Sequence, residues 1–100
     1  MNPLTLDKAF QLYDIIGKYL PEINEEDDAL EFIGTIVGNI KESYEYKDYT
    51  DAVMLMCGME WEELKEKEST EVLELFVEGL SVNKIVELKS FCETMGYSNG

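Results

Sequence analysis

The chain contains no histidine and no arginine; its eight basic residues are all lysine, set against 22 aspartates and glutamates for a net charge of −14. Without histidine it lacks the commonest general base and the commonest nitrogen ligand for metals. Without arginine it lacks the side chain that reads phosphate in bidentate fashion. The charge repels a phosphate backbone and an anionic lipid surface, so direct nucleic-acid binding and membrane binding are both disfavoured. Cysteine is scarce as well. Cys57 and Cys92 stand 35 positions apart with no CxxC, so a zinc site lacks ligands and thiol catalysis lacks a base. Both read as free thiols used as small apolar fillers in a reducing cytoplasmic setting, with a disulfide as the alternative. Long apolar runs are missing: the longest, Ala52 to Cys57, is too short to span a bilayer. Asp7, Lys8 and Asp14 interrupt any signal-peptide core. No cofactor and no metal are expected.

What is present is ordinary globular material, 45% apolar and 30% charged, in a chain long enough for one domain over residues 1–100. The acidic excess is even, with 4 lysines and 11 acids in each half. Such charge keeps a protein dispersed while it exposes apolar surface, and leaves homo-oligomerisation open.

Apolar residues recur at threes and fours along most of the chain, which predicts an all-α fold: a compact bundle of five to six short antiparallel helices. Thr5 caps a first helix with Leu6, Ala9, Phe10, Tyr13, Ile16 and Leu20 apolar, stopped at Leu20-Pro21. Asn24 and the acids after it read as the start of a second. Its stripe of Leu30, Ile33, Val37, Ile40 and Tyr44, widened by Ala29, Phe32 and Ile36, predicts a central position, and Gly34 and Gly38 would admit a close neighbour. Tyr44, Tyr46 and Tyr49 lie in a looser stretch, read as half-buried packing or an adhesive edge. Asp48 is expected to cap a third helix, Tyr49 to Cys57, with Gly58 as its left-handed stop. A fourth runs from about Glu60 to Lys67 with Trp61 and Leu64 inward. Ser69 starts the fifth (Thr70 to Leu80), Ser81 starts the sixth, and Gly96 closes it.

The plentiful carboxylates raise two chemistries. A glycosidase-type pair needs two acids across a pocket, one in apolar surroundings, whereas these acids fall at helix starts and on outer faces. A calcium loop needs alternating ligands with glycine at its sixth position, whereas Glu25-Glu26-Asp27-Asp28 is an adjacent run suited to a helix dipole. Glu63 and Lys67, four apart, are expected to attract, and Glu62 and Glu66 to repel. The most suggestive apolar group is Met54, Met56, Met59 and Trp61. Methionine adapts to varied apolar partners and tryptophan is enriched at binding hot spots. With Leu64 and Phe76 they form the candidate partner-binding set, and they either fill a seam between helices or line an exposed groove.

The segments Ala52-Val53-Met54-Leu55-Met56-Cys57-Gly58-Met59-Glu60-Trp61-Glu62-Glu63-Leu64, Glu71 to Leu80 with its "L-x-L-F-x-x-G-L" pattern, Asn83 to Phe91 and Met95-Gly96-Tyr97 together resemble the tail assembly chaperones of long-tailed bacteriophages of the siphophage type. The family pattern has an apolar helix ending in glycine, an E-E-L turn, that patterned helix and a last helix ending in aromatic residues and glycine. Glu60 departs from it, standing where serine or threonine is usual. The resemblance implies a non-catalytic protein of the host cytoplasm, absent from the mature virion, that binds the tape measure protein and keeps it soluble while the tail tube polymerises. It also implies a longer frameshifted form that recruits tail tube protein.

Two other classes fit the composition: an acidic DNA mimic that blocks a host nucleic-acid-binding protein, and a generic helical interaction module. A mimic's binding should collapse with salt; a chaperone's should survive moderate salt and weaken when exposed apolar residues are truncated. An enzyme ranks last.

Overall fold

The computed structural model describes residues 1–23 and 28–96. Asn24, Glu25, Glu26 and Asp27, proposed above as a helix start, lie outside the described residues, as does Tyr97. The architecture is all-α, with α1 Leu6–Ile16, a 3-10 turn Gly17–Tyr19, α2 Ala29–Ser43, α3 Tyr46–Cys57, α4 Trp61–Leu64, α5 Ser69–Val82 and α6 Ile85–Thr94. They pack into a body 38 × 26 × 24 Å in extent.

α1 starts as expected, with Thr5 Oγ1 accepting the Lys8 N–H. Its buried face, however, is Leu12, Tyr13 and Ile16, with Tyr19 from the turn, and Leu6 is largely exposed. α2 is capped by Asp28, whose carboxylate accepts the Glu31 N–H at 2.8 Å.

The expected central place of α2 is corrected. α3 holds that place, packed between α1 and α5, while α2 buries Phe32, Ile33, Ile36 and Ile40 and leaves Leu30 and Tyr44 exposed. Its stripe is wide because it faces the core and also borders a surface groove. Nor does a helix approach Gly34 or Gly38, since a Cβ on either would meet nothing within 4 Å. The close approach is at Gly79 of α5, where a Cβ would lie 2.6 Å from Met56 Sδ.

α3 begins at Tyr46, earlier than expected, with no side-chain cap at Glu45. Asp48 is thereby released from capping, and its carboxylate accepts the Tyr19 hydroxyl at 2.6 Å. Gly58 ends α3 in the left-handed region, at φ 65. α4 is a single turn, shorter than expected. Because it stops at Leu64, Lys67 is out of helical register with Glu63 and pairs instead with Glu71 at 3.3 Å, while Lys65 pairs with Glu62 at 2.7 Å.

Ser69 is the first residue of α5, and Ser81 does not start α6 but continues α5 to Val82. The break comes at Asn83-Lys84, with Lys84 at φ 50. Asn83 holds this corner: its Nδ2 donates to the Gly79 carbonyl at 2.8 Å and its Oδ1 accepts the Leu4 N–H at 2.8 Å. Together with the stacked rings of Phe10 and Phe91, 6.1 Å apart, that contact makes α1 and α6 run in the same direction, a parallel pair within the bundle. Lys89 of α6 donates to the Pro21 carbonyl and ties down the chain after the 3-10 turn. Cys57 is half-buried and Cys92 buried, and both are free thiols.

Candidate partner-binding site

Two apolar depressions meet at Tyr46, the first residue of α3. One, of about 290 Å³, lies between α2 and α5 and is lined by Val37, Ile40, Lys41, Tyr46, Tyr49, Ser69, Thr70 and Leu73. The other, of about 440 Å³, runs along α3 towards α4 and is lined by Tyr46, Lys47, Thr50, Asp51, Met54 and Trp61. Tyr46 lines both and is 50% exposed. The second follows from helix periodicity: Tyr46, Thr50 and Met54 are spaced by four on α3 and share one outward face.

The six proposed binding residues divide cleanly. Trp61, expected to face inward, is 50% exposed on the wall of the second groove. The reason is that one turn has a single inward position, and Leu64 takes it. Met54 lines the same groove, and Met59 is half-buried against the core. Met56, Leu64 and Phe76 are 4%, 2% and 0% exposed and are corrected from binding residues to core residues. Met56 is held against Gly79, and Phe76 meets Tyr49 edge-on with ring centroids 5.0 Å apart. That last contact supports the site from below, because Tyr49 forms part of the first groove's floor.

Val37 and Leu73 line the first groove but do not belong to the binding set that the sequence suggests. The available signal was the width of the apolar stripes on α2 and α5, broader than one core face needs.

The polar groups of the walls are few. Lys47 and Asp51 neutralise each other at 2.7 Å, and the carboxylate raises the lysine's pKa by hydrogen bond and charge. Lys41 has no ion-pair partner among the described residues. Beneath the grooves, burial pushes the Tyr49 phenol up. Asp48 is pulled down, chiefly by the Tyr19 hydroxyl and further by Lys18 at 3.3 Å. Burial also raises the Cys57 and Cys92 thiols, with Glu78 and Asp14 adding to it, so neither is an activated nucleophile. Among the described residues no group of three or more Cys, Asp or Glu side chains is placed to hold a metal ion, and no helix is long and apolar enough to cross a membrane.

What the arrangement can do chemically is take up apolar side chains. Comparison with family models, curated proteins and solved structures returns no match.

Proposed function

We propose that this chain is a non-catalytic binding protein that shelters apolar helical segments of a partner, acting as a tail assembly chaperone for the tape measure protein in the host cytoplasm without entering the mature particle. The observation that carries the reading is the pair of apolar grooves meeting at half-exposed Tyr46 on a chain of charge −14. An exposed apolar site on so charged a body suits a holder: the groove takes the partner's apolar face, and the charge keeps coated copies apart. A longer frameshifted form would add a contact to tail tube protein.

Co-expression with a candidate tape measure protein tests the reading. The partner should remain soluble and co-purify with this chain, should stay bound in moderate salt, and should be lost from Tyr46→Ala and Trp61→Ala variants. A partner that is equally insoluble with and without the chain, and does not co-purify, overturns it. Binding that collapses with salt and ignores both substitutions points instead to a mimic of nucleic acid.

A further inference from the structure

We propose that the groove pair selects for charge as well as for apolar surface, its occupant being a cationic amphipathic helix with an apolar face seated in the grooves and lysine or arginine along both flanks. The proposal rests on the binding-site reading above and specifies its ligand.

The groove walls cannot supply this selectivity, because they are mostly apolar, Lys47 and Asp51 cancel, and the remaining wall charge is the single lysine Lys41 in the first groove. The rims can. Residues 41–51 and 60–74, which supply most of the walls, hold eleven acids against four lysines. Asp48 is turned to Tyr19 and Lys18, and Glu71 and Glu74 line a separate depression with Leu75 and Glu78, which leaves eight acids in the segments that bound the grooves. Three of those lysines, Lys47, Lys65 and Lys67, are already held by carboxylates of the chain at 2.7, 2.7 and 3.3 Å. Lys41 alone of the four is unpaired among the described residues, and Glu42, Glu45, Glu60, Glu63, Glu66 and Glu68 of these segments outnumber it.

A helix with its side chains is about 10–12 Å across. One lying in the grooves therefore brings its flanks within the roughly 8 Å over which charges act at physiological ionic strength. Basic flanks would meet uncompensated carboxylates; acidic flanks would be repelled, and so would a second copy of this chain. The length also fits. From Tyr46 to Met54 the outward face of α3 extends about 12 Å, roughly two turns, enough for apolar anchors at i, i+3, i+4 and i+7 of a partner helix.

Trp61 provides a local reporter, since it is the only tryptophan and lines the second groove. The probes are two synthetic peptides of equal length and equal helicity with the same leucine face, one carrying lysine on its flanks and the other glutamate. In about 0.15 M salt the lysine peptide should shift Trp61 emission to the blue and bind at least tenfold more tightly, and in about 1 M salt the gap should close while apolar binding persists. Tyr46→Ala should weaken both peptides.

Equal affinities, or preference for the glutamate peptide, overturn the charge proposal and leave the groove reading standing. Lysine-peptide binding with no change at Trp61 and no effect of Tyr46→Ala also overturns it, since attraction would then lie elsewhere. If neither peptide binds by calorimetry at either salt concentration, both readings fail.

Discussion

Tyr19 donates its hydroxyl proton to Asp48 across 2.6 Å, joining the 3-10 turn to the first turn of α3 just below the groove-forming residues. The same tyrosine's carbonyl accepts Asn39 Nδ2 of α2 at 2.8 Å, so three elements are fastened through one residue. A hydrogen bond to a charged acceptor contributes about 1.5–3 kcal/mol. Tyr19→Phe is therefore expected to lower stability by roughly 1–3 kcal/mol in urea titrations near neutral pH.

The pH dependence of that variant follows from the direction of the Asp48 shift. Its folded pKa is lowered, mainly by Tyr19, so its contribution is present above the unfolded carboxylate value of about 4 and is lost as pH falls through the lower folded value. Protonation of the many other acids relieves repulsion over the same range, so the informative quantity is the difference between wild type and Tyr19→Phe. That difference should shrink below about pH 4. A gap that stays constant down to about pH 2 would mean that Asp48 is not the group involved.

Glycine substitutions should separate open helix surface from close packing. Gly34→Ala and Gly38→Ala meet nothing within 4 Å and should each stabilise α2 by about 0.5–1 kcal/mol. Gly79→Ala would press on Met56 Sδ at 2.6 Å and its Cβ at 3.2 Å, so it should cost about 1 kcal/mol net of its helix propensity. In a Met56→Ala background, which removes Sδ but keeps Cβ, the same change should cost less than in the wild type, and a double-mutant cycle by thermal melts measures the difference. Additive effects would show that the two residues are not in contact.

Core and site should part in mutagenesis. Phe76→Ala removes a fully buried ring and should cost about 3–5 kcal/mol. Trp61→Ala, at a half-exposed position, should change stability by no more than about 1 kcal/mol while weakening the binding of the lysine-flanked peptide. Circular dichroism and calorimetry read both.

Thiol labelling tests the free cysteines. With both pKa values raised by burial, little thiolate exists near pH 8 and access is restricted. Native protein should react with a disulfide reagent at least about 100-fold more slowly at Cys92 than unfolded protein does, with Cys57 intermediate. Fast native labelling of Cys92 would place that residue outside the core.

The all-α fold was readable from the chain because helical spacing of apolar residues, and local starts and stops such as Thr5 and Gly58, act within a few residues of sequence. The absence of histidine and arginine, the charge of −14 and its even spread are likewise properties of the sequence alone. Helix boundaries were less legible where a side chain had a choice of partner. Asp48 satisfies Tyr19 rather than a helix end, and Asn83 ties α5 to the residue before Thr5 and thereby moves the start of α6.

The site was decided by packing. Met54, Met56, Trp61, Leu64 and Phe76 are equally apolar in sequence, yet Phe76, Leu64 and Met56 are buried while Trp61 lies half in solvent beside Met54. Periodicity assigns a residue to a face of its own helix, but whether that face meets another helix or opens on a groove depends on how distant segments are placed. Tyr46, at the junction of both grooves, takes its position from α2, α4 and α5 together, and no local pattern carries that information.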